Sequence, residues 1–324
     1  MDLEHTAAEL LRVIRGKRSQ TAFSRRLGYR CNVAYTWESR RRFPTAAKTL
    51  WACERVGIDV DYALQTFYRG RPDWLDKHDP TGPGATAVLL SDLRGGTSIS
   101  DLAERSGRSR HAVGRWLRAE AEPRLPDFLR MIEATSLRLL DFLAAFVDPN
   151  DLPSVRERWQ QLESARTLTH SAPWAPAILL GLQLQGYQDL REHQVGWLAA
   201  RLGLDHQTET RCIELLAATG QIRMQRRKWV VQQIQNVDTR RGAGGTELKQ
   251  FWAGVGLQRL EQGDRGLFSF NLFTVSSADL TRLEQLQRAH YRNMRQIIAA
   301  SEPGEELVLA NLQLVPLHAR HGEV

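Results

Sequence analysis

The chain has 324 residues, of which 42% are hydrophobic and 25% are charged, as in ordinary globular proteins of two or three domains. It has no apolar run of about 18 residues, so we expect no transmembrane helix, and its acidic start MDLEHTAAELL lacks the apolar core of a signal peptide. Cys31, Cys53 and Cys212 form no CxxC pair, which argues against a disulfide framework or a zinc site and favours a reduced, cytoplasmic protein.

The positive charge is concentrated at the N-terminus. The net charge is +7, with 44 Lys and Arg against 37 Asp and Glu. Residues 1–50 hold 11 of these basic residues and 4 of the acidic ones, which leaves 33 of each for the rest of the chain. A solvated basic surface would account for this excess, but its concentration on one small helical unit favours a polyanionic partner.

Five helices are predicted in the first seventy residues, the first over 6–17 and the third over 31–39. Apolar residues recur at helical spacing, and Ser19, Gly28 and Pro44 supply a cap, a turn and a break. The residues predicted to face inward are Ala8, Leu11, Ile14, Phe23, Leu27, Val33, Trp37, Leu50, Cys53, Val56, Leu64 and Phe67.

The same unit occurs twice, about 6–68 and 85–147, at a constant offset of 79 positions. YTWESRRRFP and GRWLRAEAEP both carry Trp seven residues before Pro, and the match extends without gaps over about sixty residues. In the second copy, helices are predicted over 85–94 and 109–118, with Val113 and Trp116 facing inward. Ser98 and Asp101 form a capping box, and Gly107 is the turn.

The stretch SQTAFSRRLGY…TWESRRRFPTAAKTL…VGIDV resembles the Xre/Cro/C1-type repressor domain. The resemblance implies a helix-turn-helix whose second helix enters the major groove of DNA. The second copy departs from the pattern, since Leu117 stands in the place of Glu38, and Glu120 and Glu122 replace Arg41 and Phe43. Two interpretations of that copy stay open, namely DNA contact and a packing or dimerisation role.

The candidate DNA-binding residues are polar and lie on or beside the third helix of each copy. Arg and Asn match the edges of guanine and adenine, whereas the arginine run 40–42 is expected to clamp phosphates, and Gln20 to face the backbone. In the first copy the candidates are Gln20, Arg30, Asn32, Tyr35, Thr36, Arg40, Arg41 and Arg42. In the second copy they are Arg108, Ser109, Arg110, His111, Arg115 and Arg118.

Residues 151–240 are predicted to form a helix, an apolar segment and a module similar to a winged helix. That module has helices at about 193–202 and 206–219, then two short strands around IRM and KWVVQ. It is only slightly basic, so a structural role is favoured over DNA binding. The Gly-rich RRGAGGTE over 240–247 lacks the Lys-Ser/Thr of a phosphate-binding loop and is predicted to be a flexible connection.

Residues 245–324 are predicted to form a small α/β cap that dimerises the protein. A helix over 245–262 precedes two alternating, β-prone segments, 267–275 and 306–317, which flank a helix over 277–300. The expected fold is therefore mainly α, with tandem helix-turn-helix domains (1–70 and 82–148), the winged-helix-like module and this cap. Residues 190–317 are similar to a bacterial family of regulators with a C-terminal domain of unknown function, family 4423.

The resulting hypothesis is a cytoplasmic, dimeric transcriptional regulator, expected to be a repressor, that binds a long palindromic or bipartite operator in double-stranded DNA. The alternative is an adaptor or antitoxin-like protein whose C-terminal half binds a protein partner and whose DNA binding is autoregulatory. RNA binding ranks last, because the candidate face offers only Tyr35 for stacking. No catalytic constellation, metal site or cofactor is expected, although a protein or small-molecule effector would act at the C-terminal half.

Overall fold

The computed structural model describes residues 1–232 and 245–317. The chain divides into two compact units, Met1–Gln160 and Gln161–Val324. Within the described residues the fold is mainly helical, with one two-stranded antiparallel sheet, which confirms the predicted mainly α class.

The first unit opens with five helices, and the predicted cap at Ser19 and turn at Gly28 are confirmed. The Ser19 hydroxyl accepts a hydrogen bond from the Ala22 N–H at 3.1 Å, and Thr45 caps the fourth helix in the same way. The chain turns at Gly28, whose φ of 74° lies in the region that favours glycine. The helices are α1 (Leu3–Arg15), α2 (Gln20–Arg26), α3 (Val33–Glu38), α4 (Ala46–Val56) and α5 (Val60–Tyr68).

The second set of five helices follows the predicted repeat. Ser98 accepts from the Asp101 N–H at 3.1 Å, and Gly107 turns the chain at a φ of 61°. The helices are α6 (Ala85–Arg94), α7 (Ile99–Ser106), α8 (Arg110–Leu117), α9 (Leu125–Ser136) and α10 (Leu139–Phe146).

Positions 79 residues apart adopt the same backbone conformation after α3 and after α8. Arg40 and Ala119 have φ values of 63° and 57°. The N–H of Arg40 donates to the carbonyl of Trp37, and that of Ala119 donates to the carbonyl of Trp116. Both Trp side chains are buried, so the prediction that they are core residues is confirmed.

The two sets of helices share one hydrophobic core. α1 packs against α9, α6 packs against α4, and α5 packs against α10. Between α5 and α10, Leu64 and Leu143 are fully buried, and the rings of Phe67 and Phe142 meet edge to face at 5.4 Å. An isolated antiparallel bridge pairs Thr45 with Arg124.

The second unit packs short helices and a β-hairpin around Tyr187, Leu198, Cys212 and Leu216. The hairpin pairs Ile222 with Val231, which confirms the two predicted short strands. The elements from the unit boundary onward are α11 (Pro153–Ser171, which contains that boundary), α12 (Ala175–Gly181), α13 (Gln185–Gln188), α14 (Trp197–Leu202), α15 (His206–Ala218), β1 (Ile222–Gln225), β2 (Lys228–Val231), α16 (Gly245–Glu261) and α17 (Ser277–Ala300).

The predicted α/β cap is wrong in its strands. Residues 267–275 and 306–317 have no regular secondary structure, and β1 and β2 are the only strands in the described part of the chain. An alternating sequence becomes a strand only when its backbone pairs with a neighbour, and no such pairing joins these segments to any described residue.

Two smaller corrections concern element boundaries. The helix predicted from 193 begins at Trp197, because Gly196 precedes it with a φ of 88°. Residues 245–247 of the predicted Gly-rich loop lie in α16, and residues 240–244 lie outside the described residues.

Candidate nucleic-acid interface

The α2–α3 pair holds its buried side by a few specific contacts. The Ser24 hydroxyl of α2 accepts a hydrogen bond from the Ala34 N–H of α3 at 3.1 Å. Ala34 and Trp37 are buried, and the Trp37 ring meets Tyr29 edge to face at 5.9 Å. Tyr35, on the other side of α3, is 46% exposed. The inward face is therefore fully used by the core, and the outward face is presented to solvent.

A buried carboxylate ties three helices together at the end of α3. The Glu38 carboxylate is 5% exposed and accepts from Arg15 Nε at 2.6 Å and from Gln20 Nε2 at 2.9 Å. The guanidinium of Arg12 also donates to the Glu38 carbonyl at 3.0 Å. Gln20, predicted to face the DNA backbone, is half-buried, and its amide donates to the Glu38 carboxylate in the unbound protein.

The arginine run after α3 lies on the surface, in a turn fixed by α3 itself. The carbonyl of Thr36 accepts the N–H groups of Arg41 and Arg42 at 3.2 and 3.3 Å. The Arg41 guanidinium lies 5.3 Å from the centroid of the Tyr35 ring. Arg40 approaches the Asp2 carboxylate at 3.7 Å, with both side chains about half exposed. Such an exposed pair is weak and would exchange readily for a phosphate.

The remaining candidate residues of the first copy differ in their exposure and in the hydrogen bonds that they already make within the protein. Arg30 is exposed, and no ion pair holds it among the described residues. Asn32 is exposed, but its Oδ1 caps α3 by accepting the Tyr35 N–H at 3.2 Å. Thr36 is half-buried, in contrast to the exposed position predicted for it.

The second copy presents fewer unengaged cations than the sequence predicts. Arg108 is half-buried and donates to Asp127 at 2.6 Å. Arg118 donates to Glu120 at 2.6 Å, and this hydrogen bond raises the pKa of the guanidinium and lowers that of the carboxyl. The Ser109 hydroxyl caps α8. These three side chains are therefore engaged within the protein.

Three basic or titratable side chains on α8 stay open to solvent, namely Arg110, His111 and Arg115. Arg115 makes one long contact, 3.5 Å to the Glu120 carbonyl. No carboxylate in the described residues pairs with any of the three.

Leu117 stands where the first copy has Glu38, and the second copy therefore has no carboxylate at this position to accept a hydrogen bond. Arg94 stands where the first copy has Arg15, and its Nε is buried without a hydrogen-bond partner among the described residues. The other donor, Gln20, is replaced by Ile99. The second copy has thus lost the acceptor and one donor of the network together.

Two hydrogen bonds between the copies are not predicted by the sequence. Pro44 is expected only to break a helix, whereas the carbonyls of Pro44 and Pro123 each accept a hydrogen bond from the opposite copy at 2.9 Å. The recurrence of Pro at the same repeat position was the available signal.

The β-hairpin of the second unit is packed from one side. The Tyr187 hydroxyl accepts the Trp229 N–H at 3.1 Å and lies 3.2 Å from His193 Nδ1. Arg226 and Arg227 form the turn at positive φ, and Arg227 pairs with Glu192 at 3.3 Å. The basic tip therefore carries one cation engaged by a carboxylate of its own unit.

None of the described helices combines the length and apolar composition that a membrane crossing requires. Within the same residues, no three or more His, Cys, Asp or Glu side chains are grouped so as to hold a metal ion.

Comparison with known proteins gives one match. Searches of curated proteins and of solved structures found nothing similar to the chain. A family described as a domain of unknown function, DUF4423, matches residues 154–317, which is just over half of the chain. This range covers every described residue of the second unit. The chain therefore belongs to the DUF4423 family.

Proposed function

We propose that the protein is a sequence-specific, DNA-binding transcriptional regulator that contacts double-stranded DNA through α3 and α8. In this proposal α2–α3 and α7–α8 are helix-turn-helix motifs, each a pair of short helices joined at a glycine of positive φ. The observation that carries the proposal is the outward face of α3 and its following turn, where Tyr35 and the arginines 40–42 are exposed above a fully packed inward face.

The chemistry of this surface suits DNA at two levels. Exposed arginines neutralise phosphates and supply affinity that falls with salt. Arginine also pairs with the two acceptors of guanine in the major groove, which supplies sequence choice. On α8, Arg110 and Arg115 are the side chains best placed for that second role, since both are exposed and neither is paired with a carboxylate in the described residues.

The C-terminal region supports dimerisation as part of this function. Residues 267–275 are all exposed and carry no charged side chain, and Phe270 and Leu272 are 91% and 73% exposed. An apolar segment of this kind is expected to be covered by a partner. We assign a second copy of the chain as that partner, because an uncharged segment meets no like-charge repulsion from its own copy.

An adaptor role is the second candidate, and the same exposed segment favours it. There the segment binds a different protein and DNA binding is autoregulatory. Light scattering on the purified chain separates the two, since a stable dimer in the absence of any other protein supports the first assignment and a monomer supports the second.

Binding to the DNA upstream of the protein's own gene tests the proposal. Fluorescence anisotropy compares that duplex with a scrambled duplex of equal length and composition, for the wild type and for Arg40→Ala/Arg41→Ala. Alanine is acceptable at position 40, because Ala119 occupies the equivalent position at a φ of 57°. A double variant of exposed arginines in the second unit, Arg191→Ala/Arg211→Ala, removes equal charge elsewhere.

We expect preference for the upstream duplex, loss of affinity of at least tenfold in the first variant, and little change in the control. Equal affinity for both duplexes in the wild type, or equal losses in the two variants, would contradict the proposal.

A further inference from the structure

We propose that a single chain reads both halves of one operator, with the first repeat (6–68) on one half-site and the second repeat (85–147) on the other. This inference rests on the proposed function. It assigns to one chain the two-fold arrangement that helix-turn-helix proteins otherwise obtain by pairing two chains.

The two repeats meet through reciprocal hydrogen bonds. The Ala46 N–H donates to the Pro123 carbonyl, and the Leu125 N–H donates to the Pro44 carbonyl, both at 2.9 Å. Positions 46 and 125 are 79 apart, as are positions 44 and 123. Each bond is therefore the other's equivalent with the repeats exchanged, which is the signature of a two-fold axis. The axis passes between Thr45 and Arg124, the equivalent residues that the isolated antiparallel bridge pairs.

The packing of the helices follows the same axis. α1 of the first repeat packs on α9 of the second, and α6 of the second packs on α4 of the first. The equivalent helices α4 and α9 also touch each other, and so do α5 and α10. Contacts of an element with its own equivalent occur at a two-fold axis, so the agreement of four helix pairs extends the symmetry beyond the bridge.

The axis limits the separation of the two candidate recognition helices. Tyr35, at the middle of α3, precedes Thr45 by four residues of helix and six residues of connecting chain, which together reach at most about 27 Å. The same reach on the other side places the centres of α3 and α8 within about 60 Å of each other. Successive major-groove sites on one face of DNA are about 34 Å or about 68 Å apart. Only the separation of one helical turn is compatible with this reach.

The two half-sites are expected to differ, because the exposed side chains are not conserved between the repeats. Tyr35 is replaced by Gly114, and Thr36 by Arg115. The arginine run of the first repeat corresponds to the sequence Ala-Glu-Ala at 119–121. The first repeat is therefore rich in phosphate-binding groups, whereas the second offers Arg115 for guanine. The operator is expected to be an imperfect palindrome with a guanine-containing half on the side of the second repeat.

The probe for this inference is a duplex library with a randomised core of about three helical turns, from which the full-length protein selects its site. We expect two related but unequal half-sites with centres one turn apart. Selection by Arg110→Ala/Arg115→Ala is expected to lose one half-site and keep the other. Arg40→Ala/Arg41→Ala should weaken binding to all selected sites without changing the motif.

Stoichiometry on the selected duplex separates one chain from two. With protein limiting, a single chain that reads both halves binds one duplex per chain, even if the C-terminal segments join two chains. Two chains that each contribute one repeat bind one duplex per two chains, and that ratio would overturn the inference.

A variant of the bridge tests the geometry at the first position of α4. Ala46 is the first residue of α4, where proline is well tolerated, so Ala46→Pro removes one inter-repeat hydrogen bond. It is expected to reduce affinity for the two-half duplex several-fold and to leave affinity for an isolated half-site unchanged.

If Ala46→Pro lost affinity equally for the two-half duplex and for the isolated half-site, the inference that one chain reads both halves would be overturned. A selected motif with a single half-site would overturn it as well. Absence of any enrichment from the library would instead remove the proposed function, and this inference with it.

Discussion

Replacing Glu38 by leucine, the residue that the second repeat carries at this position, should destabilise the first unit. The change removes the acceptor for Arg15 and Gln20 and leaves the Arg15 side chain, which is 20% exposed, without its carboxylate. Loss of one partner of a buried ion pair costs about 3–5 kcal/mol, and the partial exposure of Arg15 places the expected cost near the lower end, about 3 kcal/mol. For a unit of this size that corresponds to a fall in Tm of roughly 6–12 °C.

The assay is thermal and urea unfolding of the full-length chain, followed by tryptophan fluorescence, with Trp37 buried in the affected core. The matched control is Leu117→Glu, which offers a carboxylate to Arg94, whose Nε is buried without a partner among the described residues. We expect this control to change the stability by less than about 1 kcal/mol or to raise it, because a satisfied donor offsets the burial of the new charge. A cost below about 1 kcal/mol for Glu38→Leu, or equal costs for both variants, would refute the assigned role of the Glu38 carboxylate.

Three further predictions use other parts of the chain. Iodoacetamide at pH 8 should alkylate Cys31 in the native protein and spare Cys53 and Cys212 until urea is added. The reason is that Cys31 is exposed, whereas burial raises the pKa of Cys53 to about 12 and also raises that of Cys212. Equal labelling of the three cysteines in mass spectrometry would contradict this. Phe270→Asp should convert a dimer into a monomer in light scattering, since the ring is 91% exposed in a chargeless segment; a dimer that persists would place the interface elsewhere. Desolvation lowers the pKa of His193 below its ordinary 6.5, so the folded state binds fewer protons than the unfolded state. The stability should therefore rise with pH through the range just below 6.5. His193→Gln should flatten this part of a plot of urea midpoint against pH, and an unchanged slope would reject the assignment to His193.

Local signals account for most of what could be predicted of the fold. Ser19 and Ser98 each cap a helix at the predicted position, because a cap depends on a hydroxyl and an N–H only two or three residues apart. The inward position of Trp37 and Trp116 likewise follows from helical spacing alone, and burial confirms it.

Long-range contacts account for what could not be predicted. The pairing of Gln20 with Glu38 joins residues 18 positions apart on different helices, and no periodicity reports it. The segment 267–275 alternates like a strand, but a strand also needs a partner, which the sequence of the segment does not specify. In the second repeat, Arg108 and Arg118 have the composition of a DNA-binding face and are instead held by Asp127 and Glu120.

The most direct test of the central claim is the salt dependence of binding to the upstream DNA. The logarithm of the affinity is measured against the logarithm of the salt concentration for the wild type and for Arg40→Ala/Arg41→Ala. If both arginines contact phosphates, the slope should fall in magnitude by about 2, since each contact contributes about 0.9. The charge-matched control Arg191→Ala/Arg211→Ala should keep the wild-type slope. An unchanged slope in the first variant would contradict the assignment of α3 and its turn as the DNA-binding surface.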